Sequence, residues 1–176
     1  DYLRMIFARI GRTYSPITGE EVKCHTSNDV LEYIFNSGAS AAYILADLDW
    51  KDRQDKVELM LRLKEEGYSR LFSDRVVRIE EVMQCAQTGD FPEQLYLLVD
   101  RLKLSGTPDE DMQTRLHSSI ETAFDQGAGT LYVRTEADGQ SQLKQFISRF
   151  EADGMKFEKP DEYLFSFNSP LGACPV

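Results

Sequence analysis

The most strand-like alternation in the chain lies at residues 93–104. Leu95, Leu97 and Val99 alternate with Tyr96 and Leu98, so both faces begin apolar. Such a pattern predicts a strand covered on both sides, near the middle of a sheet. Asp100 and Arg101 interrupt it, and Leu102 and Leu104 resume the alternation with Lys103 outward. The charged pair is expected at the rim of the core, where a rigid strand can present Arg101 to a partner. On residue type alone, an ion pair between Arg101 and a neighbouring acid on a solvated edge is the plainer expectation.

Further strands are expected at 41–48, whose small residues allow a helix to pack closely, and at 129–135, with Leu131 and Val133 opposed to Tyr132. Two short strands at 68–72 and 75–79, joined around Ser73-Asp74, suggest a hairpin. Strand period two puts Arg70 and Leu71 on opposite sides, so an inward Leu71 makes Arg70 outward. Residues 141–150 carry helical spacing at Leu143, Phe146, Ile147 and Phe150, but Asp138-Gly139 calls for a returning strand, which is the expectation taken. Asp153-Gly154 is a second turn.

Helical spacing marks 1–10 through Leu3, Ile6, Phe7 and Ile10. Ser27 or Thr26 can cap a second helix with Val30, Leu31, Ile34 and Phe35 inward. Residues 52–66 predict a third, with Val57, Met60, Leu61 and Leu63 as its apolar side. Residues 80–89 are ambiguous, and Cys85 within them reads as a small buried or half-buried side chain. Thr107-Pro108-Asp109-Glu110 has the form of a capping box with proline at the first helical position. Met112, Leu116, Ile120, Ala123 and Phe124 form the stripe that follows, and Gly127 ends it. These elements predict an α+β fold, a mainly antiparallel sheet with helices packed on it.

Composition narrows the function. The 176 residues are 41% apolar and 28% charged, as in globular domains. The net charge of -10 opposes a nucleic-acid face or an acidic membrane surface. Three widely spaced cysteines, Cys24, Cys85 and Cys174, do not make a disulfide framework and point to a reducing cytoplasm. No apolar run is long enough to span a membrane.

Candidate chemistry is sparse. Cys24-His25 lacks a second Cys or His at ligand spacing, so metal binding there is not expected. His117 lies beside an apolar stripe and reads as a packed or half-exposed side chain. Glu121 and Asp125 share helical spacing with His117, the basis of an alternative: a small acidic enzyme. Neither Ser118 nor Ser119 sits in a nucleophile elbow. No P-loop is present, so no ATP site of that kind is expected in this chain.

Several phrases resemble one family. They are Asp1-Tyr2-Leu3-Arg4-Met5-Ile6-Phe7-Ala8-Arg9-Ile10-Gly11, Glu65-Glu66-Gly67-Tyr68-Ser69-Arg70, Leu98-Val99-Asp100-Arg101-Leu102, Arg115-Leu116-His117-Ser118-Ser119-Ile120-Glu121-Thr122-Ala123 and Leu164-Phe165-Ser166-Phe167-Asn168-Ser169-Pro170-Leu171-Gly172-Ala173-Cys174-Pro175. In this order they resemble UvrA, the damage-recognition ATPase subunit of the bacterial excinuclease, end to end. The resemblance implies a non-enzymatic UvrB-binding domain at 13–160. It implies flanking pieces of the first ATP-binding part at 1–12 and of the signature domain at 161–176. It also implies that Arg70 and Arg101 pair with acidic groups of UvrB in nucleotide excision repair. ATP hydrolysis, dimerisation and most DNA contact would belong to the rest of a cytoplasmic parent. Many relatives hold zinc through two Cys-x-x-Cys pairs. Here Asp153-Gly154-Met155-Lys156 replaces the first pair and only Cys174 remains of the second, so neither zinc nor another cofactor is expected.

Overall fold

A computed structural model describes residues 2–19, 21, 22, 24–51, 53–104, 109–137, 139–152 and 155–157. The chain forms two compact units, one from 1–24 with 149–176 and the other from 25–148. In the first, helix α1 spans Tyr2–Ile10, and strands β7 (Glu151–Ala152) and β8 (Met155–Lys156) pair antiparallel. The helix matches its local pattern, with Leu3, Ile6 and Ile10 of its apolar side exposed; Asp153-Gly154 and the tail from Leu164 lie outside the described residues.

The second unit is a six-stranded sheet with helices on one side. Its strands are β1 (Ala41–Asp47), β2 (Arg70–Phe72), β3 (Val76–Arg78), β4 (Tyr96–Lys103), β5 (Thr130–Ala137) and β6 (Gln140–Ile147). They stand in the order β3-β2-β4-β1-β5-β6, and every neighbouring pair is antiparallel. The α+β expectation holds, and β4, the strand of strongest alternation, is interior. The returning strand after Asp138-Gly139 is β6, with Ala137 paired to Gln140; Asp138 itself is outside the described residues.

The helices are α2 (Ser27–Asn36), α3 (Lys56–Glu65), α4 (Ile79–Thr88) and α5 (Glu110–Gln126). Thr26 and Asp29 form a capping box at α2: the Thr26 hydroxyl accepts from the Asp29 N–H, and the Asp29 carboxylate accepts from the Thr26 N–H. The carboxylate also accepts from the Thr26 hydroxyl at 2.8 Å, and the two bonds it accepts, backbone first, hold the Asp29 carboxyl below its usual range. The ambiguous stretch is α4, closed by Gly89 at φ 74, a conformation that glycine adopts without steric cost.

Two helical expectations need correction. The third helix begins at Lys56, not at 52, and buries Leu59, Met60 and Leu63 while Val57 and Leu61 are exposed. Three consecutive apolar residues, 59–61, support two overlapping stripes, and packing selects the one containing Leu59. At α5 the cap is Asp109, whose side chain accepts from the Met112 N–H at 2.8 Å. Thr107 and Pro108 fall outside the described residues. Leu116, Ile120, Ala123 and Phe124 are buried as expected, with Met112 partly so.

All four helices cover the same sheet face. Ile44, Leu71, Leu97, Leu102, Leu131 and Val133 form its core with Ile34 from α2, Met60 from α3, Ile79 from α4 and Ile120 from α5. At the end of α5, a Cβ on Gly127 would collide with the Thr130 carbonyl, so the turn into β5 can be this tight only with glycine.

Candidate functional site: the open face of the sheet

The opposite face has its own cluster: Ala41, Tyr43, Leu45, Phe72, Tyr96 and Leu98, with Tyr132 packed against it. Pairing partners share a face, so each strand's contribution follows from register. Phe72 pairs with Val76 and Arg70 with Arg78; Tyr43 pairs with Arg101 on one side and Arg134 on the other. Ala41 pairs with Lys103 and with Glu136, and Arg134 pairs with Leu143 on β6. The face therefore carries Arg70, Arg78, Arg101, Lys103 and Arg134, together with Asp47 and Glu136. That is a basic surface on a chain of net charge -10.

A β-bulge places Arg101 there. Leu98 pairs with Leu45 and Asp100 with Ile44, which leaves Val99 as the extra residue on β4. Without that insertion Arg101 would follow Leu97 onto the helix face, because one slipped residue reverses every side chain beyond it. With it, Asp100 turns to the helices. Its carboxylate accepts from Arg115 Nε at 3.1 Å, from the Arg115 terminal nitrogen and from Ser119 Oγ at 3.0 Å. The plainer expectation, an ion pair holding Arg101, is not met. Among the described residues no carboxylate lies within ion-pair distance of Arg101 or Arg70. The Arg101 guanidinium lies 5.1 Å from the centroid of the Tyr43 ring.

Arg70 is exposed and Leu71 is fully buried, as strand period requires. Leu71 pairs with Leu97, so the next step of that register sets Arg70 beside Leu98. Arg101 is the next open-face position along β4. The two arginines thus lie on the same face of adjoining strands. Arg70 and Arg78 also line a cleft of about 500 Å³ with Ser69, Glu80, Glu81 and Gln84.

The aromatic rings bind the face together. Tyr43 and Phe72 have ring centroids 5.6 Å apart, and Tyr96 and Tyr132 have theirs 4.9 Å apart. Burial, then the nearby charge of Asp47, then Tyr96 push the Tyr132 phenol up to about 12. Arg134 was not singled out by sequence reasoning. Its guanidinium lies 4.9 Å from the centroid of Phe72, whose strand is three places across the sheet from β5. The only local hint is Tyr132-x-Arg134 in an alternating strand; its neighbours depend on register.

Elsewhere the candidates are bland. His117 Nδ1 lies 3.3 Å from Glu121 Oε1; His117 is half-buried on α5, while Glu121 and Asp125 are exposed. His25 Nδ1 meets the Ile147 backbone at 3.2 Å, and its ring packs edge-on against Phe146. Among the described residues no three His, Cys, Asp or Glu side chains converge on a possible metal position. Cys174 lies outside them. No helix among the described residues is long and apolar enough to cross a membrane.

Comparison with known proteins finds one family. The profile of the UvrA interaction domain matches residues 26–137. The chain is 31% identical over 99% of its length to UvrABC system protein A of Methanothermobacter thermautotrophicus and 32% over 99% to that of Helicobacter pylori. It is 28% identical over its whole length to that of Thermus thermophilus. It spans 18% of the length of each of these relatives.

Proposed function

The chain belongs to the UvrA interaction domain family, and from that premise we propose that it docks UvrB through the open face of its sheet. Arg70 and Arg101 grip carboxylates of the partner. The observation that carries this is their placement: neighbouring strands, one face, no internal carboxylate within ion-pair reach among the described residues. Planar guanidinium forks suit bidentate carboxylate binding, and a basic patch on an acidic chain orients an acidic partner during encounter.

The pairing of Arg70 with Arg78 directly across β2 and β3 supports the same reading. Like charges in that arrangement destabilise an isolated sheet. An acidic partner relieves the repulsion on docking.

In this proposal the chain is the docking module of a nucleotide excision repair subunit. Residues 1–12 and 161–176 belong to neighbouring parts of the parent. ATP hydrolysis, dimerisation and DNA binding reside elsewhere in that parent, and zinc is absent from this piece. The alternative, an enzyme built on His117, Glu121 and Asp125, has only a solvated helical row in its favour.

The test is calorimetric titration of UvrB into the 176-residue chain and into its Arg70→Ala/Arg101→Ala variant. Loss of one arm of a desolvated pair costs ~2–5 kcal/mol, so the double variant is expected to show no measurable heat. Undiminished affinity in a folded double variant refutes the assignment.

A further inference from the structure

We infer that Arg134 is a third guanidinium contact of this face, held until docking by Glu136, which occupies the place that a partner carboxylate then takes. The inference rests on the docking proposed above and extends it to a residue on β5. Arg101, Tyr43 and Arg134 form one row across β4, β1 and β5. Two strand spacings separate the arginines, about 10 Å. Each guanidinium lies near an aromatic ring, Arg101 at Tyr43 and Arg134 at Phe72, and those rings touch. Stacking of this kind restrains a flexible side chain before a partner arrives, which lowers the ordering cost of binding.

The internal partner of Arg134 is a poor one. Its Nε lies 3.4 Å from Glu136 Oε1, yet that buried nitrogen makes no hydrogen bond. The side chains are 24% and 36% exposed, so water competes for the pair. Glu136 is shared as well, since its Oε2 accepts from the Tyr43 hydroxyl at 3.3 Å. A buried donor left unmatched is costly; once Glu136 swings aside and uncovers it, a carboxylate delivered by an acidic partner surface can satisfy the guanidinium bidentately. Glu136 then keeps Tyr43.

Titration of UvrB into the full 176-residue chain tests this with four single variants and one double variant. Arg134→Gln is expected to weaken binding roughly tenfold, the scale of one lost charge-assisted hydrogen bond. Arg134→Lys, which keeps charge without the fork, should fall between the two. Glu136→Gln should tighten binding several-fold at low salt, and that gain should vanish in an Arg134→Gln background. Asp125→Asn, an equal charge change on the exposed side of α5, should leave affinity unchanged. Normal binding by a folded Arg134→Gln, or a Glu136→Gln gain that survives without Arg134, overturns the inference. If Arg134→Gln does not fold, Arg134→Lys and Glu136→Gln decide by the same signs. Loss of binding in Arg70→Ala/Arg101→Ala alone would sink only the role of Arg134. Normal binding by both sets sinks the docking face itself.

Discussion

The two faces of the six-stranded sheet are built from the same strands and do different work. On the helix face, charge is rare and held: Asp100 receives two bonds from Arg115 and one from Ser119, and the Lys144 ammonium lies over the Tyr33 and Phe146 rings. The open face exposes arginines, two of them opposite each other at a cleft shared with Glu80 and Glu81, and Arg101 without a carboxylate in ion-pair reach among the described residues. Strand β4 serves both faces, and the bulge at Val99 sends Asp100 to one and Arg101 to the other. The contrast teaches that stability is invested where helices exclude water. In the proposed docking, recognition is left to the face where arginines lack internal carboxylates.

Substitutions on either side separate these roles. The largest effect belongs to the helix face: Leu97→Ala, at a fully buried position, is expected to destabilise folding by ~2–5 kcal/mol in denaturant melts. Affinity for UvrB should be retained by whatever fraction stays folded. Asp100→Asn comes next. Its side chain is 10% exposed, and weakening its bonds should cost ~1–3 kcal/mol of stability with little effect on binding. A large loss of binding would blur the division between faces.

The α2 cap gives a smaller, pH-dependent effect. Hydrogen bonds from Thr26 hold the Asp29 carboxyl below its usual value in the folded chain. A group depressed on folding stabilises above its unfolded pKa of about 4, and the contribution disappears as pH falls through the folded value. Thr26→Ala should therefore cost ~1 kcal/mol near neutrality, and Asp29→Asn, which removes the titrating carboxyl, should flatten the acid limb of a stability-pH curve. An unchanged acid limb would remove the cap from that account. Smallest and opposite in sign is Arg70→Ala. Relief of its repulsion with Arg78 should raise the stability of the free domain by ~0.2–1 kcal/mol while binding falls. A loss of stability on that substitution would mean Arg70 serves the fold instead of the partner.

Much of this architecture was legible in the chain because its signals are local. The Leu116, Ile120, Ala123 and Phe124 stripe, the Thr26 cap and the turn before β6 each lie within a few neighbouring residues. The outward side of Arg70 followed from the inward side of Leu71. What failed needed tertiary information. Consecutive apolar residues at 59–61 allowed either face of α3 to be buried. The bulge at Val99 exists only in the pairing of β4 with β1, so alternation alone could not say which of Asp100 and Arg101 met the helices. Arg134 joins the site through register with Tyr43, and no spacing in the sequence predicts that.

The most direct measurement of which face meets UvrB is methyl NMR of the isotopically labelled 176-residue chain with unlabelled UvrB. Val76 and Leu143 report on the open face, Val57 and Leu61 on the outer side of α3, and all four are exposed in the free chain. The open-face methyls are expected to shift and broaden on addition of UvrB, with Val57 and Leu61 unchanged. Perturbation confined to Val57 and Leu61 would contradict the assignment of docking to the open face.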